Sequence, residues 1–162
     1  MPRLIGWREW AALPELGIDR IKLKADTGAR TSALHALAIR SIKRNNEEWV
    51  EFELAENAAP RQARVIDHRT IRDSGGHEET RVTVETLVAM GDDAWSIELT
   101  LTDREAMGFR MLLGRTAMQD RYYVDSNASF LLGKPSNTKS QSETGLKQKQ
   151  NTNIDAQSQE EE

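Results

Sequence analysis

Period-two alternation of apolar and polar residues constrains this chain more than any other feature. Residues 81–90 are strongly β-prone, with Val82, Val84 and Thr86 on one face. Residues 95–102 return after the turn signal Gly91-Asp92-Asp93. Alternation at that period buries one face of a strand, whereas on a helix it would scatter apolar groups around the axis. The pattern recurs. Ile21-Lys22-Leu23-Lys24-Ala25 has one apolar face. Residues 39–43 and 49–54 flank Asn45-Asn46, a pair that accepts positive φ in a hairpin turn. In the second of these runs Val50, Phe52 and Leu54 alternate with Glu51 and Glu53, so one face is wet. Arg64-Val65-Ile66-Asp67 reads as a further short strand. Many short strands, with room only for short helices, predict an all-β domain whose sheet closes on itself as a barrel.

Two segments read differently. Trp7, Trp10, Leu13 and Leu16 fit one helical face that Pro14 interrupts, which suggests an N-terminal arm packing two Trp side chains onto the sheet. Residues 31–38 are small and apolar and suggest an opening turn of helix. Residues 134–162 hold Lys, Ser, Asn, Thr, Gln and Glu with no aromatic residue. A disordered polar tail is expected there, behind a single domain at 1–133.

Composition narrows the function. The chain has no cysteine, which excludes disulfides and thiolate zinc sites and agrees with a cytoplasmic protein. The N-terminus is too polar for a signal peptide, and no apolar run is long enough to span a bilayer. A net charge of -4, nearly evenly spread, argues against nucleic acid as a partner.

The candidate chemistry lies in Lys24-Ala25-Asp26-Thr27-Gly28-Ala29-Arg30-Thr31-Ser32. A strand ends there on an Asp-Thr-Gly turn, so a carboxylate sits at a strand tip. Thr27 offers a hydroxyl to a neighbouring backbone group. Gly28 permits a tight turn and the close approach of another chain or a ligand. This is the layout expected if Asp26 activates a water molecule.

Asp26-Thr27-Gly28-Ala29 resembles the catalytic loop of aspartic peptidases. Met111-Leu112-Leu113-Gly114-Arg115-Thr116 resembles the apolar-apolar-Gly-Arg segment that closes the retropepsin domain, and a short helix is expected after it at 116–120. Gly6-Trp7-Arg8-Glu9-Trp10, the run from Asp26 to Ala36, and Leu99-Thr100-Leu101-Thr102-Asp103-Arg104 look like a bacterial branch of retropepsin-like proteins also labelled ATP-dependent zinc proteases. The resemblance covers about residues 4 to 133. It implies a single retropepsin lobe and an aspartic endopeptidase that needs no cofactor.

Peptide hydrolysis by carboxylates needs one ionised and one protonated group. This chain has one Asp-Thr-Gly. The resemblance therefore implies a homodimer, with Asp26 and its mate across a twofold axis. Thr27 would brace the two loops, and Leu112, Leu113 and Gly114 would pack beneath them. The stretch 71–81, with Gly75-Gly76, holds the sequence position of the retropepsin flap. Viral retropepsins commonly carry Asp where this chain has Arg30, paired with the Arg that matches Arg115. Two cations at one cleft repel, so the reading is that Arg30 and Arg115, with Arg69, Arg72 or Arg81, take an acidic peptide or protein segment, or need a carboxylate such as Asp120. The family's association with ATP-grasp ligases that add glutamate agrees with an acidic substrate and implies such a ligase as partner.

Two rivals follow. A zinc hydrolase would draw on His35, His68 and His77 with Asp67, Asp73 or Glu78, but no metalloprotease spacing is present. A non-catalytic module would dimerise and regulate a partner enzyme, since fold does not fix function. No phosphate-binding Gly-rich loop supports ATP use by this chain.

Overall fold

The computed structural model describes residues 1–105 and 108–136. Ten strands and almost no helix make an all-β fold. The strands are β1 (Arg3–Leu13), β2 (Ile18–Asp26), β3 (Ser32–His35), β4 (Leu37–Arg44), β5 (Glu47–Glu53), β6 (Arg61–Arg72), β7 (Glu78–Met90), β8 (Asp93–Thr102), β9 (Met111–Gly114) and β10 (Tyr122–Ser129). One short helix, α1 (Arg115–Met118), separates the last two.

All ten strands join one sheet in the order β10-β1-β2-β9-β3-β8-β7-β6-β5-β4, and β1 also pairs with β7 at Ala12 and Ala89. That last pairing closes β1, β2, β9, β3, β8 and β7 into a six-stranded ring. Closure removes the free edges that an open sheet would expose. Strands β6, β5 and β4 continue from β7 as an arm, and β10 lies parallel to β1 on its outer side. The interior is filled by the inward half of each alternation: Leu13 of β1, Leu23 of β2, Leu34 of β3, Val84 and Val88 of β7, Leu99 of β8 and Leu113 of β9 are all fully buried. Each such side chain contributes about 1.5–3 kcal/mol of transfer free energy. Val50 and Phe52 of β5 are also fully buried, so the arm packs back onto the core.

The expected strands at 21–25, 39–43, 64–67, 81–90 and 95–102 fall within longer observed ones, and the one at 49–54 overruns the end of β5 by one residue, Leu54. Asn45 and Asn46 turn the β4–β5 hairpin at φ of 53° and 64°. Two expectations are corrected. Trp7, Trp10 and Leu13 of the expected arm lie in β1 itself, because β2 on one side and β10 on the other satisfy its backbone, and only Pro14–Leu16 makes a helical turn. Trp7 packs edge-on against Phe109, and Trp10 stacks on Phe130. Residues 32–35 form β3, not helix, because β8 and β9 flank them with ladder hydrogen bonds. The short helix begins one residue early, at Arg115.

Glu9 is fully buried, yet its carboxylate accepts backbone N–H bonds from Gly6 (2.7 Å), Leu131 (2.8 Å) and Leu132 (3.1 Å). It ties the chain beyond β10 to β1. The expected tail lies outside the described residues except for its first three, of which Ser136 bonds through its N–H to the Gly91 carbonyl at 2.9 Å.

Candidate active site

The chain order β2, loop, β3 is split in space, because β9 lies between the two strands, parallel to β2 and antiparallel to β3. The loop at 27–31 must therefore bridge over the end of β9. Asp26 is the last residue of β2 and faces Gly114, the last of β9. A Cβ on Gly114 would lie 2.5 Å from the Thr31 carbonyl carbon and 2.8 Å from the Ser32 nitrogen, so only glycine lets the loop pass. The Ser32 hydroxyl accepts the Gly114 N–H at 2.9 Å.

Hydrogen bonds fix the loop from both sides. Asp26 Oδ1 accepts the Gly28 N–H at 3.1 Å, and its carbonyl accepts the Ala29 N–H at 3.2 Å. The start of α1 donates to the loop carbonyls: Arg115 N–H to Ala29 (2.7 Å), Thr116 N–H to Arg30 (3.1 Å) and the Thr116 hydroxyl to Arg30 (2.8 Å). The Arg115 guanidinium donates to the Thr27 carbonyl at 3.2 Å. Asp26 is half-buried, and Thr27, Gly28 and Arg30 are exposed. A Cβ on Gly28 would meet only Asp26 Oδ1, at an ordinary 3.5 Å.

Opposite this loop stands the β6–β7 hairpin, and between them runs a cleft of about 590 Å³. Asp26, Gly28, Ala29 and Arg30 form one wall; Arg69, Arg72, Asp73 and Arg81 form the other. The structure thus brings the Asp26 loop and three arginines of the hairpin together. Gly75 and Gly76 do not line the cleft. They make the hairpin tip, with Gly76 at φ 87°. Asp73 organises that tip: its Oδ1 accepts the N–H of Gly75 and of His77, both at 2.9 Å, and its Oδ2 lies 3.4 Å from Arg104. The His77 and Gly75 bonds hold the Asp73 carboxyl below the usual carboxylate range.

Three of the cleft cations are matched. Arg69 pairs with Glu98 at 2.6 Å and Asp67 at 2.9 Å, Arg81 with Glu79 at 3.1 Å, and Arg72 with Glu78. Hydrogen bonds from Arg69, first to Glu98 and then to Asp67, raise its pKa further above its ordinary value. Among the described residues Arg30 has no carboxylate partner. The expected confrontation of Arg30 with Arg115 is resolved differently, since Arg115 is spent on the Thr27 carbonyl and Asp120 pairs with neither.

The histidines lie apart. His35 Nε2 lies 3.2 Å from the Asp103 carbonyl, His68 Nε2 lies 2.9 Å from Glu48, and His77 is at the hairpin tip. Among the described residues no three His, Asp or Glu side chains converge on a metal-sized space. Sequence reasoning missed the roles of Ser32 and Thr116, which hold the loop, and of Asp73, which holds the hairpin tip opposite it. Only Asp73 carried a signal, an Asp two residues before glycine, which favours an Asx turn.

Residues 4–135 match the model of the RimB-like family, described as retropepsin-like aspartic endopeptidase RimB. The chain belongs to this family. Its relatives include a protein of Shewanella pealeana described as a probable alpha-L-glutamate ligase. That protein is 46% identical over 136 residues, which are 80% of this chain and 30% of the relative. A protein of Desulfotalea psychrophila with the same description is 46% identical over 140 residues, 83% of this chain and again 30% of the relative. The chain therefore spans about 30% of the length of these curated relatives. A crystal structure of the Legionella pneumophila protein Lpg0085, described as of unknown function, shares the fold. Its TM-score is 0.68 at 24% identity, covering 82% of this chain and 99% of that one. Placed on this RimB-like fold, Asp26 stands at the tip of β2 and Gly114-Arg115 beneath its loop. No helix among the described residues is long and apolar enough to cross a membrane.

Proposed function

We propose that this RimB-like chain is an aspartic endopeptidase whose two catalytic carboxylates are Asp26 and the Asp26 of a second copy. The observation that carries this reading is the arrangement of Asp26: half-buried at a strand tip, its loop pinned by α1, and open to a cleft. The chemistry needs one carboxylate to take a proton from water and another to donate to the scissile carbonyl. Asp73 is the other carboxylate on the cleft, but it is engaged by two N–H groups and Arg104 and held ionised. It is ill suited to carry the proton. The second group comes from a symmetry mate. Gly28 fits this, because among the described residues a Cβ there would meet only Asp26 Oδ1 at an ordinary 3.5 Å, whereas a close approach across a twofold axis would call for glycine.

In this reading Asp26 is the acid/base, and Thr27 and Gly28 form the contact between loops. Ala29 and Arg30 hold the substrate backbone and an acidic side chain. Arg115 positions the loop and does not touch substrate. Arg69, Arg72 and Arg81 line the opposite wall already matched by carboxylates, so the cation offered to a substrate carboxylate is Arg30. Gly75 and Gly76 let the hairpin tip bend over it, and no metal takes part.

A second reading is favoured by the relatives described as glutamate ligases, in which a domain like this one is about 30% of the chain. Here the domain would dimerise and regulate such a ligase without turnover. Asp26→Asn separates the two. The peptidase reading requires loss of cleavage of an acidic peptide with solution mass and melting temperature retained. A variant that cleaves like the parent chain refutes it, and a parent chain that binds the ligase but cleaves nothing favours the regulatory module.

A further inference from the structure

A second cavity, of about 380 Å³, meets the Asp26 loop at Arg30, which lines both it and the cleft. That volume falls within the roughly 300–1,000 Å³ of small-molecule sites. The cavity exists because β3 joins β8 only from Leu99 onward, where Ser32 is the register partner. Along Trp95–Glu98 that flank of β8 has no strand beside it among the described residues, and Arg30, α1 and Arg121 border it instead. The lining is of two kinds. Trp95, Ile97 and Ala117 make an apolar wall, in which Ile97 and Ala117 are buried. Arg30, Arg121 and Glu85 bring charge.

These three charges are unanswered. Glu85 stands directly opposite Glu98 in the β7–β8 ladder, where two carboxylates repel. Glu98 accepts Arg69 at 2.6 Å. Among the described residues Glu85 has no cation partner, and Arg30 and Arg121 have no carboxylate partner. Both arginines are nevertheless anchored. The Arg121 guanidinium lies 4.4 Å from the Trp95 ring centre, and Trp95 packs on Tyr122 at 5.7 Å. A guanidinium seated on a ring keeps most of its N–H donors on the edge, where a carboxylate can reach them. The Arg30 carbonyl accepts the N–H and the hydroxyl of Thr116, so its side chain starts from a fixed backbone.

We propose that this cavity binds a free α-amino acid with an apolar side chain, as the zwitterion. Its carboxylate meets Arg30 and Arg121, its ammonium meets Glu85, and its side chain covers the wall of Trp95, Ile97 and Ala117. Other small ions fit less well. Phosphate or a dicarboxylate leaves Glu85 facing an anion, and a polyamine leaves two guanidiniums facing a cation. An acidic side chain would lie against the apolar wall, where its charge is poorly solvated. Because Arg30 lines both cavities, an amino acid here draws it away from the Asp26 cleft. The two sites are then coupled, each occupant weakening the other by the same factor. That coupling rests on Arg30 being the cation offered to substrate; the site itself does not.

The test is isothermal titration calorimetry of the full chain with L-leucine. The site predicts one saturable event per chain with a Kd below about 1 mM. Glu85→Gln and Arg121→Gln, both on exposed side chains, should each weaken it about tenfold with the melting temperature retained. Isocaproate, which is leucine without its amine, should bind the parent about tenfold more weakly and be indifferent to Glu85→Gln, a cycle that assigns the ammonium to Glu85. Three results overturn the proposal: no saturable binding up to about 10 mM, affinity within about twofold of the parent in both variants, or tighter binding of L-glutamate than of L-leucine. Saturating L-leucine should also raise KM for an acidic peptide in the peptidase assay, and an unchanged KM removes the coupling. Failure of cleavage leaves the titration untouched, because no turnover enters it, and failure of the titration leaves the Asp26 reading standing.

Discussion

Two glycines and one arginine decide most of the site at the scale of single residues. Gly114 is required by close approach: a methyl there collides with the backbone at Thr31 and Ser32, which has no flexible end to move. Gly114→Ala should cost about 2 kcal/mol, the usual range for overpacking a tight contact, read by chemical denaturation. It should also lower cleavage, because the register partner of Asp26 has moved. Gly28 is spared that constraint within its own chain. Arg30 is the cleft cation left without a carboxylate among the described residues, so it is the one available to a substrate. Arg30→Glu should raise KM for an acidic peptide about tenfold, the effect of placing like charges together, and change little for a neutral one. Equal effects on both peptides would remove Arg30 from substrate recognition.

At the scale of elements, the β6–β7 hairpin and the Asp26 loop meet from distant parts of the sequence. The hairpin tip depends on Asp73, whose carboxylate takes two N–H groups and approaches Arg104. Its pKa is lowered, so the cap contributes stability above the ordinary Asp value and loses it as pH falls through the lower folded value. Protection of the Gly75 and His77 amides, relative to the unstructured exchange rate at the same pH, should therefore persist at about pH 4 and fall only well below it. Fast exchange already at neutral pH would mean that the cap does not hold the tip. Strands with clean alternation, such as β7 and β8, were legible from the sequence because each buries one face. β1 was obscured by Trp7, Trp10 and Leu13, whose three-residue spacing imitates a helix face; the two strands flanking it override that local pattern. β10 was not legible at all, because Asp125, Ser126 and Asn127 interrupt its apolar half and its pairing is with the other end of the chain. Asp26 and the Gly114-Arg115 segment were legible as motifs. Ser32 and Thr116 were not, since their roles exist only once β9 slides between β2 and β3.

At the scale of the whole molecule, the barrel closes at a contact of two alanines, Ala12 and Ala89, and the buried Glu9 ties Leu131 and Leu132, beyond β10, to the first strand. One ring with one Asp26 gives a scaffold but half of a dyad. On the proposed reading catalysis is therefore a property of two chains. The most direct measurement is cleavage of an acidic peptide by mixtures of parent chain and Asp26→Asn chain at fixed total concentration, after subunit exchange. A shared dyad predicts that activity follows the square of the parent fraction, so an equal mixture retains about a quarter of the rate. A linear decline, with about half the rate left, would mean that each chain works alone and would contradict the shared Asp26 pair.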